Sequence, residues 1–122
     1  WDTKPFDYDV EPMPDDYQKV DTITLEELRN KYGAAAEFDT LILDCEGAFY
    51  YILQDTPEVL DGINLVLMEN DYHDFSHKQF VDEQLTQRGF VVDYSEPGGW
   101  GPCVGNFFEV WSMKQPDRPK VG

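Results

Sequence analysis

Four carboxylates and an imidazole follow two apolar runs of this chain. Asp44 and Glu46 come after Thr40-Leu41-Ile42-Leu43, and Glu69, Asp71 and His73 come after the run from Ile63 to Met68. A carboxylate just beyond a buried strand can take a proton from a substrate hydroxyl, orient a polar ligand, or join other oxygen donors around a divalent cation. Gly47, directly after Glu46, permits a close backbone approach or a sharp turn. The plainer alternative is that Asp44 and Glu46 only favour the start of the helix that follows, because acids suit that end of the macrodipole.

Other chemistries lack their residues. His73 and His77 stand four apart, but Asp74 and Ser76 place a loop and a helix start between them. A transition-metal pair needs both histidines on one helix and a third ligand, so no such metal is expected. Gly98-Gly99 falls between two strand patterns, not between a strand and a helix, and is not a phosphate loop. No Ser-His-Asp or Cys-His order points to a nucleophile. Cys45 lies between two acids, which discourages its thiolate. With Cys103 it makes too few cysteines for a disulfide framework, and each is expected as a small buried thiol, with a single bridge left open. Phe107, Phe108 and Trp111 alternate as strand residues do and are expected in the core.

The elements that must position these groups alternate between the two periodicities. Thr24-Leu25-Glu26-Glu27 has capping-box spacing, Leu25, Leu28 and Tyr32 share a helical face, and Gly33 is placed to end that helix. Residues 40–43 form a continuous apolar run, the pattern of a strand covered on both faces. Glu46 to Gln54 reads as a helix with Ala48, Tyr51 and Ile52 inward, and Pro57 and Gly62 punctuate the return to a strand over Ile63 to Met68. Ser76-His77-Lys78-Gln79 offers a second capping box for a helix through Phe80, Val81 and Leu85 that Gly89 ends. Strands over Phe90–Tyr94 and Asn106–Met113, joined by the turn Pro97–Pro102, make an antiparallel hairpin. Such alternation implies a parallel, three-layer α/β sheet, whose ligands sit beyond the carboxyl ends of the strands. If the first two strands are neighbours, Asp44, Glu46, Glu69, Asp71 and His73 share one crevice.

Size and charge bound the rest. A chain of 122 residues suits one domain, and folding at that length buries roughly two-thirds of the unfolded surface. An apolar fraction of 41% and an aromatic fraction of 15% supply a packed interior. Twenty-five acids against nine bases, a net charge of -16, repel phosphate backbones and anionic lipid, so neither nucleic acid nor membrane is an expected partner. The charge serves solubility, or a cation site or basic partner. Residues 1–19, acidic and interrupted by Pro5, Pro12 and Pro14, read as an irregular lead-in whose Trp1, Phe6 and Tyr8 dock on a neighbouring surface, and residues 115–122 as a polar tail. A cytoplasmic location is expected from the cysteine usage.

Residues 20–114 resemble the FkbM-type methyltransferases. The likeness rests on Val20-Asp21-Thr22-Ile23-Thr24-Leu25-Glu26-Glu27-Leu28 before the first helix and on Leu43-Asp44-Cys45-Glu46-Gly47-Ala48 at the end of a strand. Leu67-Met68-Glu69-Asn70 and the strands at Gly89-Phe90 and Asn106-Phe107-Phe108 extend it. Phe49 stands where the family signature has a second Glu, and Ile42 where a Lys is common. The resemblance implies the C-terminal half of a Rossmann-like class I methyltransferase sheet, with parallel strands, a final antiparallel hairpin and helices on both faces. It implies methyl transfer from S-adenosylmethionine to a hydroxyl of a sugar or small metabolite, with Asp44 and Glu46 catalytic and Glu69, Asp71 and His73 lining the substrate crevice. In that family the cofactor is held mainly by a glycine-rich half that residues 1–19 do not supply, so the chain is expected to be inactive alone. The strand at 40–43 would then be a bare edge, covered by the lead-in or by a second copy in a homodimer. The alternative expectation is a non-catalytic acidic module that binds a divalent cation and self-associates through that edge.

Overall fold

The computed structural model describes residue 12, residues 15–32 and residues 38–114. Gly33, most of the lead-in as far as Pro14, with its Trp1, Phe6 and Tyr8, and the tail from residue 115 lie outside the described residues.

The elements run α1 (Leu25–Tyr32), β1 (Thr40–Leu43), α2 (Phe49–Asp55), a 3₁₀ turn (Pro57–Leu60), β2 (Leu65–Glu69), α3 (Phe75–Gln87), β3 (Phe90–Glu96), a second 3₁₀ turn (Gly101–Asn106) and β4 (Phe108–Met113). Local chemistry accounts for most of the boundaries. Thr24 Oγ1 accepts from the Glu27 amide at 3.1 Å and donates to the Glu27 carboxylate, which starts α1 as expected. At α3 the cap is Asp74, not Ser76: its carboxylate accepts from the Ser76 amide at 2.8 Å and from the Ser76 hydroxyl. Gly89, at φ 94°, turns the chain out of α3 into β3.

The sheet order is β1-β2-β4-β3. β1 and β2 pair in parallel, and β4 is antiparallel to both β2 and β3. β1, β2 and β3 therefore share one direction, and β4 is the reversed strand inserted between β2 and β3. The hairpin is as expected, but the fold is a mixed α/β sheet, because β3 reaches the sheet only through β4.

Its core lies on one face. Val66 and Met68 of β2 and Trp111 of β4 meet Phe49 and Leu53 of α2 and Val81 and Leu85 of α3. Each large apolar side chain sunk there contributes about 1.5–3 kcal/mol. The inward residues of α2 are thus Phe49 and Leu53, with Ala48 just ahead, whereas Tyr51 and Ile52 are half-buried. The opposite face is open: Ile42 of β1 is 77% exposed, and Phe108 of β4 and Val91 and Tyr94 of β3 are exposed as well. Phe108 thereby leaves the expected aromatic core to Phe107 and Trp111. α1 buries none of its residues, so the described residues do not build the expected second helical layer. No described helix is long and apolar enough to cross a membrane.

Candidate functional site

At the carboxyl end of β1 the chain does not pass straight into a helix. Glu46 adopts φ 52° and Gly47 φ 83°, two left-handed residues in succession, and α2 begins only at Phe49. A left-handed non-glycine residue costs about 1–2 kcal/mol. That strain folds the turn back, so that the Gly47 amide donates to Asp71 Oδ1 at 3.0 Å. A Cβ at Gly47 would meet the Asp71 carbonyl at 3.4 Å, an ordinary contact, so it is the left-handed backbone that favours glycine there. The residue next to α2 is Ala48, and no side chain caps that helix by a hydrogen bond. Asp44 and Glu46 are therefore not helix caps.

The β2 end is held from below. The Asn70 amide donates to the Phe107 carbonyl at 2.7 Å, and its side-chain Nδ2 donates to the Asn106 carbonyl at 2.7 Å. Fixed in this way, Asp71 is buried and turns its carboxylate toward the β1 turn. Carboxylate oxygens of Asp44, Glu46 and Asp71 lie within 4.8 Å of one another, and Glu69 is a near neighbour of Asp44. Burial, then the Glu46 charge, pushes the Asp71 carboxyl above its ordinary range. Glu69 is raised by burial and by its contact with Asp44. The Cys45 thiol beside them is also pushed up, chiefly by burial. Cys45 and Cys103 are both free thiols.

A cleft of about 210 Å³ opens beside the acids. Glu46, Gly47 and Tyr51 form one wall, and Tyr72, His73, Asp74 and His77 the other. The His77 ring stacks on Tyr50 at 3.6 Å between centroids, and the His73 ring lies 4.7 Å from Trp100. His73 is an exposed loop residue and His77 sits in the first turn of α3, consistent with their not forming a helical metal pair.

The two parallel strand ends thus bring Asp44, Glu46, Glu69, Asp71 and His73 into one neighbourhood. Sequence reasoning missed Tyr51, Tyr72, Asp74 and His77 as walls, since their approach depends on the crossing of α2 and α3. It also missed a second cluster beneath the site. Lys78, 1% exposed, bonds Glu109 at 2.7 Å and contacts Asp82, while Asn106 Nδ2 and Trp111 Nε1 both donate to Glu109. The signal that could have found it was a Lys and a Glu set at otherwise inward positions of α3 and β4.

No family model matches the chain, and neither a curated protein nor a solved structure matches it. The arrangement can accept hydrogen bonds from a hydroxyl, or bind a cation through oxygen.

Proposed function

We propose that the chain forms the acceptor-binding side of an S-adenosylmethionine-dependent O-methyltransferase-like domain acting on a hydroxyl of a sugar or small metabolite. The observation that carries the reading is the strained Glu46-Gly47 turn, which bonds to Asp71 and converges three carboxylates at the ends of parallel β1 and β2. Strain retained at a strand end is the mark of a site whose geometry matters beyond stability. The Leu43-to-Ala48 likeness and the shared direction of β1, β2 and β3 support the same lineage.

In this reading Asp44 and Glu46 accept the hydroxyl hydrogen of the acceptor and orient its oxygen, with one of them as base. Asp71 holds the turn, and burial together with the Glu46 charge keeps its own carboxyl readier to take a proton. When bound, S-adenosylmethionine supplies the methyl group. The cleft, at about 210 Å³, is smaller than the roughly 300–1,000 Å³ that enclose drug-sized ligands. The described residues therefore fit a small acceptor and do not by themselves fit the cofactor.

Amide NMR titration with a panel of monosaccharides and simple polyols tests this. Shifts should centre on Gly47, Asp71 and His73 and disappear in an Asp44→Asn, Glu46→Gln double variant. No shift across the panel would overturn the acceptor site, and micromolar binding of S-adenosylmethionine by the 122-residue chain would overturn the division of labour. A second reading draws on the same carboxylate spacing. Two oxygens on one calcium ion at about 2.3–2.6 Å lie no more than about 5 Å apart, and the triad meets that limit. Thermal melts with calcium, magnesium and chelator separate the readings, because the first expects no shift.

A further inference from the structure

The loop between β3 and β4 sets one large aromatic residue at the mouth of the crevice, in the run Gly98-Gly99-Trp100-Gly101. Two anchors hold the loop against the end of β2. The Asn70 amide donates to the Phe107 carbonyl and Asn70 Nδ2 to the Asn106 carbonyl, each at 2.7 Å. On either side of Trp100 the backbone is left-handed and closely packed. A Cβ at Gly99, φ 56°, would lie 2.4 Å from the buried Phe107 ring, and one at Gly101, φ 82°, would lie 3.3 Å from the Tyr72 carbonyl. Those two positions require glycine, and they fix the residue between them.

Core packing does not account for that residue. Trp111 is 5% exposed, whereas Trp100 is 40% exposed and its ring lies 4.7 Å from that of His73. His73 also lines the cleft that Glu46 and Gly47 wall, so Trp100 extends that cleft by one ring. Two kinds of surface meet there, and together they select a ligand. The carboxylates accept hydrogen bonds and repel anions, and among the described residues that line the cleft there is no Lys or Arg. The indole offers a flat apolar face. A pyranose ring presents both counterparts, with hydroxyl hydrogens around its rim and a patch of C–H groups on one face. An open-chain polyol has the hydroxyls without the patch, and a phosphorylated or uronic sugar brings charge of the wrong sign. We propose that Trp100 is a specificity-determining residue that stacks on the C–H face of an uncharged pyranose while a hydroxyl of that ring points to Asp44 and Glu46. The assignment rests on the acceptor-site reading above and narrows its ligand to cyclic, uncharged sugars.

The probes are methyl glucopyranoside, sorbitol and glucose 6-phosphate, titrated into ¹⁵N-labelled chain with the Gly47 amide and the Trp100 indole N–H as reporters. The pyranoside should move both reporters, sorbitol should move Gly47 alone and bind more weakly, and the phosphate should move neither. Trp100→Ala should weaken the pyranoside about three- to tenfold and leave sorbitol unchanged, and Trp100→Phe should restore part of the loss. Equal movement of Gly47 by pyranoside and sorbitol, with the Trp100 indole still, would overturn the stacking and leave the acceptor site standing. Movement of the indole by the pyranoside, with Gly47 and Asp71 still, would uphold the stacking surface and overturn the acceptor reading. No movement by any probe at high millimolar concentration would overturn both.

Discussion

Glu109 and Asp71 are both buried carboxylates, 6% and 3% exposed, yet their surroundings treat them in opposite ways. Glu109 receives hydrogen bonds from Lys78, Asn106 and Trp111, and against burial it is Lys78 first, then Asn70 and Trp111, that hold its carboxyl below the ordinary range. Asp71 receives one amide hydrogen bond and faces Glu46 and Asp44, and its carboxyl is pushed up. The Lys78 cluster is not wholly balanced, since one lysine serves two acids and burial still raises Asp82. Even so, it joins α3 to β4 beneath the crevice. Among the crevice acids Asp71 ties down the Gly47 amide, while the carboxylates of Asp44 and Glu46 stand close to it without a cation between them. Groups kept where they oppose the fold are groups with another use.

The largest expected effect breaks the balanced cluster. Lys78→Met should leave Glu109 buried without its cation and cost about 3–5 kcal/mol, read by urea denaturation. Gly47→Ala tests the turn instead. A Cβ on this left-handed residue should cost about 1–2 kcal/mol and move the Gly47 and Asp71 resonances together.

Asp71→Asn should do the reverse and stabilise the domain. The amide keeps an acceptor for Gly47 N–H and removes a charge from the acidic group, a change of a kind worth ~0.5–2 kcal/mol. The pH profile follows from the same contrast. Asp71 and Glu69 are raised, so they bind protons more tightly folded than unfolded, and their contribution is present at low pH and lost as pH climbs through the raised values. Glu109 is lowered, so its contribution is present above the ordinary Glu value and lost as pH falls through the depressed one. Melts at fixed ionic strength should therefore rise from pH 7 toward mild acidity and fall again below about pH 4. Asp71→Asn should flatten the first limb and leave the second.

Much of this could be read along the chain, and the gaps have physical causes. The neighbourhood of Asp44, Glu46, Glu69 and Asp71 was legible because two apolar strand runs ending in acids need only be adjacent. The start of α2 was not, since nothing but the fold shows that Glu46 takes a left-handed conformation. Asp74 outcompeted Ser76 as a cap because its carboxylate reaches both the Ser76 amide and hydroxyl. The open sheet face was misread because Leu41, Ile42 and Leu43 are all apolar, and that run cannot say which side is covered. Lys78 was hidden by the habit of placing lysine on the surface, when its partner lies 31 residues away on β4.

The central claim is that the strand-end acids serve a ligand and the Lys78 cluster serves the fold. An Asp44→Asn, Glu46→Gln double variant tests it most directly, with melting temperature and NMR titration by the monosaccharide and polyol panel measured on the same sample. The account predicts a melting temperature equal to or above that of the unaltered chain, with the ligand-induced shifts at Gly47, Asp71 and His73 lost. A melting temperature lowered as far as in Lys78→Met, with those shifts intact, would contradict it.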